Sequence, residues 1–269
     1  MPCESGDDAM LDVENLAFSY TNEETLRSID FKVRPGEFVA LMGPNGSGKT
    51  TMMRCINKIL KVNSGSVTID DEDVLSLTLG DIAKICTTVP ADISLDFVLT
   101  VRDFVSLGRS PYVTNVWWDS QEDDDMVNNA LHDFNIAHYA ERRLSELSSG
   151  ERARVLLAKG IVQTPKVMLV DEPSAHLDIK YKIQIMEMLK ALSRRGLSVV
   201  VASHDINLLT RFCDRIMLLS NGRIIDYGLP MDVVTEESIK KVFDIEVKTV
   251  VVDGVVYVLP TGSTMKMDL

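Results

Sequence analysis

Polar and apolar residues alternate along 11–20, where Val13, Leu16, Phe18 and Tyr20 stand among polar neighbours, and the pattern resumes at 28–33 beyond a polar gap at 21–25. A period of two with one apolar face predicts two antiparallel strands. Pro35, Gly36 and Glu37 turn the chain into 38–42, a continuous apolar run of the kind that forms a strand buried on both faces. A glycine-rich stretch at 43–51 follows at once, and 50–61 then carries Met52, Met53, Ile56, Ile59 and Leu60 at helical spacings. The order is strand, glycine loop, helix. The runs 67–69 and 82–89 are predicted as further strands or strand edges.

From about 92 to 160 the apolar spacing turns helical, in 101–107, 126–134 and 155–162, with loops predicted at 108–112 and 116–120. This reads as a helical insertion. Beyond it, strands at 167–170, 199–202 and 216–219 alternate with a helix at 179–192 and another after His204, and Asn221 and Gly222 make a turn. Such alternation builds a mainly parallel sheet flanked by helices, an α/β fold. Near the C-terminus, 247–252 and 255–259 flank Asp253 and Gly254, a two-residue turn that favours a hairpin.

The 269 residues, 45% hydrophobic and 25% charged, suit one large domain or two small ones with a sizeable core. Forty acids against 28 bases leave a net charge of −12, which argues against binding nucleic acid by phosphate neutralisation. The excess is local. Residues 1–26 hold seven acids and no base, and residues 92–135 hold nine acids against Arg102 and Arg109, so the remainder is close to neutral. The insertion is therefore expected to turn an acidic face, around Asp123, Asp124 and Asp125, to a partner or to solvent. No apolar run approaches the roughly 18–20 residues of a spanning helix, and the first residues lack the basic start of a secretion signal, so a cytosolic chain is expected. Cys3, Cys55, Cys86 and Cys213 are scattered without a Cys-x-x-Cys pair, which predicts buried or incidental thiols rather than a zinc site or disulfides.

Gly43, Pro44, Asn45, Gly46, Ser47, Gly48, Lys49 and Thr50 fit the phosphate-loop pattern between a buried strand and a helix. Glycines let the backbone wrap a polyphosphate with N–H groups inward, and the helix start adds partial positive charge. Lys49 would reach the β- and γ-phosphates and the Thr50 hydroxyl would hold Mg²⁺. The apolar run 167–170 ends in Asp171 and Glu172. In a phosphate-loop enzyme the first acid can serve the Mg²⁺ shell and the second can polarise a water aimed at the γ-phosphate. An acidic pair after a strand is, by itself, also a common helix N-cap.

The segments 43–51, 147–151, 167–172, 174–178 and 203–205, in this order, resemble the motif set of an ABC-type ATPase subunit. The likeness covers about 11–228. Within that superfamily, Thr100 through Tyr112 resembles subunits that power import of iron–siderophore complexes, haem or cobalamin. The resemblance implies a phosphate-loop NTPase (RecA-like) core with an antiparallel β edge subdomain and an inserted helical subdomain. The ATPase domain would span 10–240, with the insertion at about 92–160 and a C-terminal β-hairpin extension at 241–269.

The family's roles carry over by position. Tyr20 matches the aromatic that stacks on adenine, with core packing beside Leu16 and Phe18 the alternative. Gly43 through Thr51 would cradle ATP. Ser148, Ser149, Gly150 and Glu151 match the segment that contacts the γ-phosphate of ATP held by the other protomer, although Ser148 or Ser149 could equally cap the helix that follows. Asp171 is implied for Mg²⁺, Glu172 as general base and His204 as the γ-phosphate contact. Asp178 would communicate across the dimer or merely cap the helix at Ile179. Two copies would sandwich two ATP molecules head to tail at the cytoplasmic face of the membrane, bound peripherally to permease subunits and served indirectly by a substrate-binding protein.

Two positions depart from the family pattern. Ser149 stands where glycine is usual, and a serine there can still present its N–H if its dihedrals are ordinary. Ala91 stands where a glutamine usually meets Mg²⁺ and the attacking water, so slow but real hydrolysis is expected, with Asp92 or a water as substitute. Other readings stay open: a weakly hydrolysing ATP-dependent switch or assembly protein, an importer subunit for molybdate, tungstate or zinc, and an ABC protein acting on ribosomes or DNA. One cassette, a short insertion and an acidic balance weigh against the last.

Overall fold

The computed structural model describes residues 9–91, 99–113, 121–173 and 177–263. Its elements run in chain order as β1 (Leu11–Ser19), β2 (Glu24–Val33), β3 (Phe38–Met42), α1 (Lys49–Ile56), β4 (Ser64–Ile69), β5 (Glu72–Asp73), α2 (Leu79–Ile85) and β6 (Cys86–Val89). Between β6 and the next strand come α3 (Val101–Ser106), a 3₁₀ turn over Leu107–Tyr112, α4 (Gln121–Asp133) and α5 (Ser149–Val162). Then follow β7 (Val167–Asp171), α6 (Ile179–Arg194), β8 (Ser198–Ala202), α7 (Ile206–Phe212), β9 (Arg215–Ser220), β10 (Arg223–Gly228), α8 (Pro230–Val233), α9 (Glu236–Phe243), β11 (Ile245–Val252) and β12 (Val255–Ser263).

Six strands form the central sheet in the order β10-β9-β3-β8-β7-β6, parallel except for β10. Continuous apolar runs suit it because both faces are covered. Phe38, Ala40 and Met42 of β3 enter one core and Val39 and Leu41 the other, and β7 divides its side chains in the same way. Parallel registry sets Leu41 beside Ala202 and Ala202 beside Asp171, so the chain leaves β3, β7 and β8 along one edge of the sheet. A smaller antiparallel sheet, β2-β1-β4-β5, packs on the second core. This is the expected α/β architecture with its antiparallel edge.

Several boundaries differ from the pattern reading. The run 82–89 is not one strand: Thr78 accepts a hydrogen bond from the Asp81 N–H and starts a helix, and only Cys86 onward joins the sheet. Helix α1 stops at Ile56 rather than near 61, because Lys58 takes a left-handed backbone and donates its ammonium to the Leu75 and Leu77 carbonyls. Helices α4 and α5 begin several residues earlier than their apolar stripes, since their first turns are polar. The stretch 108–112 is a 3₁₀ turn seated against α5. A Cβ on Gly108 would lie 2.3 Å from the Lys159 carbonyl oxygen, and buried Arg109 donates to the Val162 carbonyl at 2.7 Å and to Asp123 at 2.6 Å. Asp123 thus points inward, while Glu122, Asp124, Asp125 and Asp133 are the exposed acids of that helix.

The C-terminal hairpin forms a separate two-stranded sheet, with Val247, Val256 and Val258 buried in the main core. Cys55, Cys86 and Cys213 are buried free thiols, and burial pushes those of Cys55 and Cys86 up to about 12. Cys3, Asp92, the expected loop at 116–120 and Ser174, Ala175 and His176 lie outside the described residues.

Candidate nucleotide site

The edge where β3, β7 and β8 end carries the predicted chemistry. Between β3 and α1 the loop lies so close to the sheet that a Cβ on Gly43 would sit 2.2 Å from the Leu219 carbonyl oxygen, a spacing only glycine permits. The Gly222 N–H donates to the Ser47 carbonyl and braces the loop from the β9–β10 turn. Lys49 is buried, its ammonium donating to the Gly43 carbonyl at 2.7 Å and the Pro44 carbonyl at 3.1 Å. Burial lowers its pKa, while the charges of Glu172 and Asp171 act in the opposite direction. Ser47 Oγ is buried in the loop with no hydrogen-bond partner among the described residues, a polar atom left for something the loop holds.

Asp171 ends β7 and accepts a hydrogen bond of 2.8 Å from the Thr50 hydroxyl, which brings two hard oxygen donors together at the helix start. Glu172 follows in a left-handed backbone conformation, φ 47°, with its N–H donating to the Ala202 carbonyl at 2.9 Å. That conformation turns the side chain off the strand direction, and its carboxylate meets His204 Nδ1 at 2.9 Å. A cavity of about 340 Å³ is lined by Thr25, Asn45, Gly46, Gly48, Lys49, Thr50, Thr51, Asp171 and Glu172. A second, of about 710 Å³, continues past Glu172 to His204, Ala91, Lys182, Ile206, Phe243 and Ile245. Among the described residues no cluster of three acids, histidines or cysteines forms a metal cage. A cation here would depend on Thr50, Asp171 and the ligand's own oxygens.

Tyr20 lies just beyond β1 rather than on its buried face and is 56% exposed, so the core-packing alternative fails. Its ring stands edge-on to Phe18, and its hydroxyl is 3.4 Å from the Thr51 hydroxyl, beside the loop. Ser148, Ser149, Gly150, Glu151 and Asp178 line neither cavity. Ser148 and Glu151 form a reciprocal capping box, so the simple capping role is real. The Glu151 carboxyl is held below its ordinary range by the Tyr139 hydroxyl first and by Ser148 next. A Cβ on Gly150 would meet the Tyr181 ring at 2.6 Å. Ser149 has ordinary backbone angles. Asp178 occupies the N-cap position of α6, but its side chain makes no cap hydrogen bond.

The ABC transporter family profile matches residues 26–175. The chain belongs to the ABC transporter family. As such it is an ATP-binding, ATP-hydrolysing subunit. The hemin import ATP-binding protein of Pseudomonas fluorescens is 35% identical over 88% of this chain and 94% of its own length. The cobalamin import ATP-binding protein of Halobacterium salinarum is 36% identical over 88% of this chain, which spans 59% of that longer protein. Among solved structures, one described as an inward-facing ABC transporter of metal-chelate type superimposes with TM-score 0.83 at 24% identity, over 94% of this chain and 98% of its own. Against this family frame, Thr25, Lys182, Phe243 and Ile245 are cavity residues that the motifs did not indicate. The last two arrive from the far end of the chain, where no local signal marks them.

Proposed function

We propose that this ABC subunit couples ATP hydrolysis to uptake of a metal chelate of the iron–siderophore, haem or cobalamin type. It would act as a peripheral protein at the cytoplasmic face of the membrane, bound to permease subunits, with a substrate-binding protein acting upstream of them. The relatives' names and the stretch Thr100 to Tyr112 support the cargo class. Among the described residues no helix is long and apolar enough to cross a membrane. The ATPase domain is taken as 10–240 with the insertion at about 92–160, followed by the hairpin extension.

The observation that carries the reading is the convergence of Lys49, Thr50, Asp171, Glu172 and His204 around the phosphate loop. ATP would lie with adenine on the Tyr20 ring and phosphates in Gly43 to Thr51. Mg²⁺ fits the oxygen pair of Thr50 and Asp171 and, when bound, would neutralise phosphate charge. Lys49 places a buried ammonium against the same charge, where low dielectric strengthens it. The Glu172 carboxylate, oriented by His204 Nδ1, holds the proton of a water aimed in line at the γ-phosphate. His204 then has Nε2 left to contact that phosphate. Ser148, Ser149, Gly150, Glu151 and Asp178 lie away from the chain's own cavities, which fits a site completed by a second copy in an ATP-sandwich homodimer.

Glu172→Gln keeps shape and removes the base. Turnover should fall on the order of 10²–10⁴-fold while ATP affinity, measured by equilibrium binding, is retained. Hydrolysis by this variant at the wild-type rate would refute the assignment.

A further inference from the structure

Helix α7 starts two residues after His204, and its first turn is gripped from two sides. On one side the Lys182 ammonium of α6 lies 3.2 Å from the Asp205 carboxylate. On the other, the Asn207 carboxamide closes a reciprocal pair with the main chain of β12: its nitrogen donates to the Val258 carbonyl at 3.1 Å, and its oxygen accepts from the Val258 N–H at 2.7 Å. Val258 pairs with Thr249 inside the hairpin, and the amide uses the opposite edge of that strand. A surface asparagine with both ends of its amide committed 51 residues away is a specific joint, because main-chain groups offer it a single register. The hairpin also reaches the catalytic cavity through its root, where Phe243 at the end of α9 and Ile245 at the start of β11 line it together with Glu172 and His204.

His204 itself is weakly held. Its side chain is 67% exposed, and among the described residues its hydrogen-bond partner is Glu172. Its position therefore depends on the backbone that carries it, and that backbone is fixed by the grip on α7. We infer that Asn207 is a positioning residue for His204, tying the C-terminal hairpin to the hydrolytic centre so that displacement of the hairpin loosens the His204–Glu172 contact. This rests on the role proposed above for His204. A small misplacement of a catalytic group is costly because the geometry of attack is narrow.

The test uses the full chain carrying Asn207→Ala or Asn207→Asp. The second keeps the side-chain volume and an acceptor for the Val258 N–H but sets a carboxylate against the Val258 carbonyl. Steady-state MgATP hydrolysis, melting temperature and ¹⁵N-histidine spectra are recorded together, the chain having only four histidines. Both variants should lower kcat roughly tenfold with KM within about twofold. The His204 ring signals should move towards those seen in Glu172→Gln while the other histidines stay in place. Unchanged kcat and unchanged His204 signals would overturn the inference. So would a joint loss of kcat, KM and melting temperature with all histidine signals displaced, which would assign Asn207 to the fold alone. If His204→Ala hydrolysed ATP at the wild-type rate, the failure would lie in the role given to His204 instead.

Discussion

The phosphate loop and the helix start at Ser148 are both glycine-bearing turns ahead of a helix, yet they are built on different plans. The loop is held open. Its glycine backbone is pinned against the sheet at Leu219, its lysine is buried against its own carbonyls, and Ser47 Oγ has no partner among the described residues. The helix start at Ser148 is closed on itself. Ser148 and Glu151 satisfy each other, Tyr139 holds the same carboxylate, and Gly150 is packed under Tyr181. A turn with a buried polar group left unused is organised for a ligand before the ligand arrives, whereas a turn whose capping side chains engage each other is already accounted for as a helix start. The cis half of the proposed sandwich thus declares itself in one chain, and the trans half does not.

That contrast predicts its own largest break. Lys49→Ala removes the buried cation from the open turn, so ATPase activity should drop on the order of 10²–10³-fold, with ATP binding by the isolated chain weakened as well. A variant with unimpaired nucleotide binding would mean that the loop backbone alone does the holding. No comparable loss of binding is expected from changes at the closed turn, because Ser148 to Glu151 line neither cavity of their own chain.

A second comparison separates packing from function at Gly150. In Gly150→Ala the added methyl meets the Tyr181 ring, and overpacking of this kind should cost about 1–3 kcal/mol, read by denaturant unfolding. Adding Tyr181→Ala makes room and should restore stability. If glycine serves only that packing, ATPase activity returns with it. If the partner's phosphate must also approach Gly150 closely, stability returns and activity does not. The two outcomes distinguish a helix cap from half of a nucleotide site.

The same difference decides what could be read from sequence. The phosphate loop and the acids at the end of β7 were legible because strand, turn and functional residues are contiguous, so a local pattern carries both fold and chemistry. The stretch 82–89 misled because a short apolar run suits a helix or a strand, and the deciding contact is the Thr78 cap before it. Alternation with Phe18 left core packing open for Tyr20 as the alternative to stacking, but β1 ends at Ser19, where it pairs with Glu24. Lys182, Asn207, Phe243 and Ile245 left no trace in the pattern. They reach the cavity or its supports through the packing of α6, α7 and the hairpin, and that packing joins residues far apart in the chain.

Ala91 tests how complete the open half is. It ends up where the resemblance implied a glutamine, in the wall of the cavity shared by Glu172 and His204, and it presents only a methyl group. Lys182 in the same wall is engaged with Asp205, so the polar function missing at 91 is not replaced by that lysine in the single chain. Glutamine at this position would add a donor and an acceptor beside the Glu172 carboxylate, enough to order an attacking water but not to replace the base. Ala91→Gln should therefore raise kcat by a modest factor, on the order of threefold to tenfold, with little change in ATP affinity. The gain should vanish when combined with Glu172→Gln, since ordering a water that no base activates yields nothing. A wild-type rate already typical of fast ATPases and unmoved by glutamine would show that the cavity as built, with its methyl at 91 and apolar wall at Phe243 and Ile245, positions the water unaided.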